Sequence, residues 1–320
     1  MKTNKSKIVG RKELFSRFPL LQHDVFMKAD HLFPVRITRS WLERVKSISD
    51  PLGIQAFPNP KELQADNEDL IDPVGEEVLS PHPWLIQKHQ DRILFITTRR
   101  CHLYCRYCFR RNHTGPDDPS EKEFVSAINF INQQSYQECI LSGGDPLALS
   151  LSRLERLLCE LETPTIRIHT RAPITDPSCV RPKLLNILKN RKGVWMIVHC
   201  NHPKEVTAEV EEALLHFRRL GIPVLNQAVL LKGVNDCVDT LTELCTKLVS
   251  LQVFPYYLHH TDSATGNAAF RVSLERGMTI YKHLRQRVSG IALPKYVIDP
   301  PDGSGKIEVE TYMRNRNGTS

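Results

Sequence analysis

Cys101, Cys105 and Cys108 form the most chemically pointed pattern in the chain, a CxxxCxxC within Cys101-His-Leu-Tyr-Cys105-Arg-Tyr-Cys108. Iron–sulfur cubanes of electron carriers take four thiolates, so a site that supplies three leaves one iron open for a small molecule. Structural zinc is the competing use of such thiols. It calls for a second closely spaced ligand pair, which neither flank provides. Arg110 and Arg111 follow at once. A guanidinium there suits carboxylates, which it grips with two parallel hydrogen bonds where a lysine offers only a point charge. Arg111 fits a solvated basic loop equally well.

Two further stretches carry chemistry. Gly143-Gly144-Asp145-Pro146 ends an apolar run with two residues that lack Cβ, so backbone can come close to a ligand while Asp145 offers a carboxylate to an ammonium group. Asp299-Pro-Pro-Asp-Gly303-Ser304-Gly305-Lys306 sets a lysine on a flexible loop. The Walker spacing for a nucleotide phosphate is missing there, and a Schiff base with pyridoxal phosphate is the alternative use of such a lysine.

These residues need elements to place them. From Asp91 onward, short β-branched or aliphatic runs alternate with longer helical patterns, as in repeated βα units. Strands are expected at Ile93–Thr98, Glu138–Ser142, Thr165–Thr170, Val194–His199, Pro223–Leu230 and Phe254–His259. Between them, Ser120 with Glu123 and Ser152 with Glu155 match the capping box. Apolar faces follow at helical spacing: Phe124, Ala127, Ile128, Ile131, then Leu154, Leu157, Leu158, Leu161, then Val210, Leu214, Phe217. Gly221 and Pro223 end the last of these helices. Parallel strands need right-handed helical crossovers, so the expected class is α/β, an open or partial (β/α)6 TIM-like barrel. Chemistry in such barrels collects where strands end, and the unusual residues fall there. The cysteine loop follows the first strand and Gly143-Gly144-Asp145 the second. Arg171 follows the third, His199 to His202 the fourth, and Asp262 the sixth, while Asn226 and Gln227 lie within the fifth. Residues 1–85 have a different texture, short helical patterns broken by Pro51, Pro58, Pro60, Pro73, Pro81 and Pro83, and are expected to form a mainly helical N-terminal extension to a core at 86–320.

Composition narrows the class. At 320 residues and 41% hydrophobic the chain can bury a full core. Nine cysteines, six of them scattered outside the trio, argue against a secreted disulfide framework and for a reducing cytoplasm. Met1 to Lys7 has no apolar run of a signal peptide, and no stretch approaches the ~20 apolar residues of a membrane span. The net charge of +7 is spread along the chain without a dense cluster or interleaved aromatics, which favours anionic small ligands over nucleic acid.

Taken together, Cys101/Cys105/Cys108, Arg110, Gly143-Gly144-Asp145-Pro146-Leu147, Asn226-Gln227, Tyr256-Tyr257-Leu258, Phe270-Arg271 and Asp299 to Lys306 resemble the lysine 2,3-aminomutase family of radical S-adenosylmethionine enzymes, over roughly residues 85–310. The resemblance implies a radical S-adenosylmethionine barrel with three cofactors: a [4Fe–4S] cluster on the three cysteines, S-adenosylmethionine on its open iron, and pyridoxal 5′-phosphate on Lys306. It implies that Gly143, Gly144, Asp145, His199 and Gln227 lie at S-adenosylmethionine. Arg110 would take the carboxylate of L-lysine, and Asp262 and Asp299 its ε-ammonium. The implied reaction is an isomerisation in which a radical made from S-adenosylmethionine abstracts a hydrogen from the β-carbon of lysine and the nitrogen migrates from α to β. An electron donor, not identifiable from the chain, would reduce the cluster. Lys88-His89 stands where the family suggests an Arg-Tyr pair near pyridoxal phosphate. Fourteen residues follow Lys306, a short form resembling the branch that makes (R)-β-lysine for elongation factor P, whereas the Asp299 to Lys306 loop resembles the catabolic enzymes. Both destinations therefore stay open, as does an iron–sulfur protein without aminomutase activity.

Overall fold

The computed structural model describes residues 8–317. Nine strands form one sheet whose spatial order follows the chain: β1 (Leu85–His89), β2 (Arg92–Thr98), β3 (Glu138–Gly143), β4 (Thr165–Thr170), β5 (Val194–Val198), β6 (Val224–Val229), β7 (Phe254–His259), β8 (Lys295–Ile298) and β9 (Ile307–Glu308). The six expected strands are β2 to β7, each within a residue or two of its expected span, and neighbours from β2 to β8 pair in parallel. The sheet is larger than six strands. β1 and β9 are antiparallel edges and β8 is a further parallel strand. β8 and β9 are too short for alternation to show, and β1 carries a polar Gln-Lys-His end that masks its apolar start.

Helices on the outer face supply the crossovers. The helix Glu121–Asn132 starts with the reciprocal Ser120–Glu123 box, Glu123 N donating to Ser120 Oγ at 3.3 Å and Ser120 N to Glu123 Oε2 at 2.7 Å. It buries Phe124, Ala127, Ile128 and Ile131. The helix Leu151–Glu160 begins earlier than its Ser152–Glu155 pattern suggests. Ser150, not Ser152, accepts from a helix-end amide, that of Arg153, which leaves Ser152 inside the first turn. The helix Ala208–Arg219 buries Val210, Leu214 and Phe217, and Gly221 turns the chain at φ +73. A left-handed residue after a helix costs glycine no Cβ clash.

Alternation along each strand decides what faces the helices and what faces the concave side. In β4, Ile166 and Ile168 are fully buried while Arg167 and His169 are only partly so. Strand side chains alternate between faces, so the aliphatic pair packs under helices and the polar pair lines the barrel interior. Gln227 of β6 reaches across β5 to His169 at 3.3 Å, a contact that only a strongly curved sheet permits. The curvature brings the two ends of the sheet together. Lys88 Nζ on β1 lies 2.8 Å from Asp299 Oδ1 just beyond β8, 211 residues away in the chain. The barrel is thus open in its hydrogen bonding, yet spanned by an ion pair.

The extension does more than wrap. Leu14, Trp41, Leu52 and Phe57 belong to the same hydrophobic core as Phe95, Phe124 and Ile168. Each such large side chain contributes about 1.5–3 kcal/mol on burial. The stretch Met1 to Lys7, expected to lack a targeting signal, lies outside the described residues. No described helix is long and apolar enough to cross a membrane.

Candidate active site

The cysteine loop leaves β2 and is clasped by the extension. Arg36 Nε donates to Cys101 O at 2.7 Å, Tyr104 N to Arg36 O and Arg106 N to Gln55 O, both at 3.0 Å. Arg106 is fully buried and paired with Glu62, Nη2 to Oε2 at 2.5 Å and Nε to Oε1 at 3.0 Å. Arg111 joins the same carboxylate at 2.6 Å and donates to Gly266 O at 2.7 Å. Of the two uses left open for Arg111, neither the solvated loop nor a ligand clamp matches this buried anchor.

None of the nine cysteines forms a disulfide. Burial pushes the Cys108 thiol up to about 12, with Cys105 adding to the rise, and carries Cys101 well above the ordinary thiol range. Cys101 and Cys108 are thereby held neutral until positive charge arrives, and iron is such a charge. Among the described residues, no three His, Cys, Asp or Glu side chains converge on one ion position. A cubane binds each thiolate on a separate iron, and three thiols on one short loop are the donor set it takes. Arg171, after β4, donates from Nη1 to Cys105 Sγ at 2.8 Å. It is pinned by Glu205 at 3.0 Å and Gln55 at 2.6 Å, both fully buried. The sequence placed Arg171 at a strand end without foreseeing that it would meet a cysteine.

Gly143 and Gly144 are required by the protein's own backbone. A Cβ on Gly143, at φ +113, would stand 2.5 Å from Thr98 O, and one on Gly144 would overlap Arg100 O. Close packing of β3 against the cysteine loop is therefore what the glycines permit. Asp145 differs from the expected free acceptor. Its Oδ1 accepts from Thr170 Oγ1 at 2.6 Å and Leu147 N at 3.0 Å, its Oδ2 from Arg171 N at 2.8 Å and Ala172 N at 2.9 Å. Both oxygens are taken up in binding β3's loop to the turn after β4. His199 follows β5, and its Nε2 lies 2.8 Å from the hydroxyl of Tyr107, between two of the cysteines. Burial holds His199 neutral, well below the usual histidine range, and Asn201 Nδ2, which can only donate, lies 3.3 Å from Nε2, so Nε2 is the acceptor and Tyr107 donates to it.

Arg110 points toward the barrel, but its fork is filled. Glu76 of the extension takes Nε at 2.7 Å and also pairs with Nη2, while Nη1 lies 3.3 Å from Ser142 Oγ. A substrate carboxylate would have to bind the outer Nη edge or displace Glu76. The Glu76 segment is itself wedged in place. A Cβ on Gly75, at φ +64, would lie 2.5 Å from Pro301 O, and Val74 O accepts from Lys88 Nζ at 2.6 Å.

Asp262 and Asp299 come together as expected, after β7 and β8. Asp299 sits between two ammoniums, Lys88 at 2.8 Å and Lys306 at 3.6 Å. Burial first, then the Asp299 charge, raises the Asp262 carboxyl to about 7, with Lys306 and Lys88 pulling the other way. The Lys306 side chain remains 38% exposed, open to a ligand. Gly303 and Gly305, at φ +77 and +84, fold its loop back to β9. Lys88 is committed to Asp299 and Val74 O, and His89 packs against Gly305, so neither departure from the Arg-Tyr pair is left free in this arrangement. Residues that the sequence did not single out also line the mouth: Arg167 and His169 of β4 and His259 of β7. Burial lowers His259 to about 3, helped by Lys306. For the β4 pair the signal was alternation, where Ile166 and Ile168 claim the helix face and leave Arg167 and His169 to the interior.

The Radical SAM superfamily model matches residues 95–245, from β2 into the helix before β7. L-lysine 2,3-aminomutase of Methanococcus maripaludis is 38% identical over 88% of this chain and 67% of its own length. L-lysine 2,3-aminomutase of Buchnera aphidicola is 35% identical over 90% of this chain and 87% of its own. Glutamate 2,3-aminomutase of Clostridioides difficile is 34% identical over 82% of this chain and 63% of its own. Among solved structures, a radical SAM methyltransferase from Sphaerobacter thermophilus shares the fold at a TM-score of 0.51 and 19% identity, covering 67% of this chain and 68% of that one. The chain spans about two thirds of the length of its longer curated relatives. A family match that spans the cysteine loop, together with likeness to L-lysine 2,3-aminomutases over 88–90% of the chain, leads to one conclusion: the chain belongs to the lysine 2,3-aminomutase family of radical S-adenosylmethionine isomerases.

Proposed function

We propose that this protein converts L-lysine to β-lysine by 2,3-amino migration. The observation that carries the reading is the acid pair Asp262 and Asp299 beside Lys306 at the barrel mouth. A family defined by 2,3-migration needs a feature that selects the amino acid, and two carboxylates select an ω-ammonium. When bound, the [4Fe–4S] cluster, S-adenosylmethionine and pyridoxal phosphate supply an electron, a hydrogen-abstracting radical and a π system that tolerates an adjacent radical.

The chain's own residues supply placement. Cys101, Cys105 and Cys108 would hold three irons, and Arg171 would donate to one of the ligating sulfurs. Gly143 and Gly144 would offer backbone carbonyls to the amine of S-adenosylmethionine, since the Asp145 carboxylate is already used to brace the loop. His199 and Gln227 would flank the same ligand. Lys306 would hold pyridoxal phosphate, Arg110 the substrate carboxylate on the edge that Glu76 leaves free, and Asp262 with Asp299 the ε-ammonium. A γ-carboxylate brought to the same acids meets like charge in a desolvated site, so glutamate is expected to be rejected.

The described part of the extension, residues 8–85, acts in this proposal as a scaffold for the cysteine loop rather than a separate module. Nine cysteines outside any disulfide and an oxygen-sensitive cluster suit a reducing cytoplasm. We further infer free β-lysine as the immediate product. Elongation factor P would be a consumer of that product, and a separate electron donor would reduce the cluster.

The test is anaerobic reconstitution with iron, sulfide, pyridoxal phosphate and S-adenosylmethionine, followed by chromatography of products from lysine, from glutamate, and from lysine with purified elongation factor P. β-Lysine from lysine alone is the expected result. A protein that binds iron yet neither cleaves S-adenosylmethionine nor shows pyridoxal absorbance would instead be an iron–sulfur binding protein without aminomutase activity.

A further inference from the structure

His169 presents a hydrogen-bond donor that the fold buries and leaves unanswered. It stands on the concave face of β4, and its Nδ1 lies 3.3 Å from Gln227 Nε2. An amide nitrogen only donates, so Nδ1 is the acceptor and the ring proton resides on Nε2. Nε2 is buried and meets no protein partner, although the ring as a whole keeps some exposure at the mouth. Buried donors are almost always paired, and an orphan in a functional cavity marks where a ligand acceptor belongs. The charges around the ring tell which kind. After burial, the strongest influences are Arg167, Lys306 and Arg110, all cationic, and together they keep the imidazole neutral. An anionic oxygen is the partner that satisfies the donor and is also attracted by those cations.

We propose that the His169 Nε2–H is a direct ligand contact of this site, donating to an anionic oxygen held between Lys306 and Arg110. Two bound molecules offer such an oxygen: the amino-acid substrate through its carboxylate, and pyridoxal phosphate through its ring or phosphate oxygens. The assignment rests on the function proposed above for the identity of these ligands. It adds a residue that explains how a carboxylate can be seated although Glu76 occupies much of the Arg110 fork.

The experiment compares wild type, His169→Ala and His169→Gln in two binding arms. The first titrates the cofactor-free protein with pyridoxal phosphate and follows its absorbance. The second titrates the loaded protein with lysine and follows the spectral shift. Loss of a hydrogen bond to a charged acceptor predicts a rise of about 10- to 100-fold in half-saturation for His169→Ala. Glutamine, which keeps an N–H, should recover most of the loss, and added imidazole should partly rescue the alanine variant. A deficit in the first arm assigns the oxygen to the cofactor; one confined to the second assigns it to the substrate. Unchanged half-saturation in both arms overturns the proposal, as does a deficit that neither glutamine nor imidazole repairs. Lysine turnover by the wild type is measured in the same preparations. A wild type that binds both molecules but forms no β-lysine refutes the proposed function and leaves the two arms to decide His169.

Discussion

If Asp262 receives an ammonium, the affinity for lysine must rise with pH through neutrality. Its carboxyl is raised to about 7 from an ordinary 3.8, chiefly by burial and then by Asp299. Below that value the group holds a proton and offers no charge. An arriving ammonium favours the ionised form, so binding releases the proton and gains strength as pH rises. With a midpoint near 7, roughly a tenth of molecules are ionised at pH 6 and roughly nine tenths at pH 8, a tenfold change. The α-amine titrates as well, and norleucine removes that confusion because it shares the α-amino acid end and lacks the ε-ammonium. The quantity to measure is therefore the ratio of norleucine to lysine half-saturation, read from the spectral shift of the pyridoxal-loaded protein at pH 6, 7 and 8. It should increase about tenfold over the range in wild type. In Asp262→Asn it should be low and flat. A flat ratio in wild type, or an equal slope in the asparagine variant, would remove Asp262 from ammonium recognition.

Other substitutions probe separate parts of the site. Lys306→Ala should retain its iron and lose the pyridoxal absorbance, and persistence of that chromophore would refute the lysine's role. Cys105→Ala should lose the cluster by iron analysis and visible absorbance; full occupancy would count against the three-thiolate set. Glu62→Ala leaves two buried guanidiniums, Arg106 and Arg111, without their shared carboxylate. Breaking a buried pair in this way costs about 3–5 kcal/mol, read from the urea midpoint of the reconstituted protein. A loss below about 1 kcal/mol would show that the extension does not anchor the cysteine loop electrostatically.

Much of this molecule is legible along the chain because the signals are local. CxxxCxxC is a spacing within one loop, the capping box at Ser120 and Glu123 spans four residues, and strands β2 to β7 announce themselves through aliphatic runs between amphipathic helices. Short strands such as β8 and β9 carry no periodicity of their own and exist because the curved sheet offers them an edge. Ser152 illustrates the limit of a local motif. Its pattern is correct, but Ser150 is a competitor two residues earlier, and packing of Leu154 and Leu157 chose the register.

Residue types and order by themselves determined which atoms could do chemistry: three thiols, a loop lysine, two acids and an arginine, in a barrel that gathers strand ends. Only the tertiary structure decided which of these are free to do it. Asp145 is consumed by four donors, Arg111 by Glu62, and Arg110 in part by Glu76, whereas His169 is left with an unmet N–H. The reason is physical. A side chain's partners in a curved sheet come from positions tens to hundreds of residues away, and burial makes each polar group's free energy depend on whether such a partner arrives.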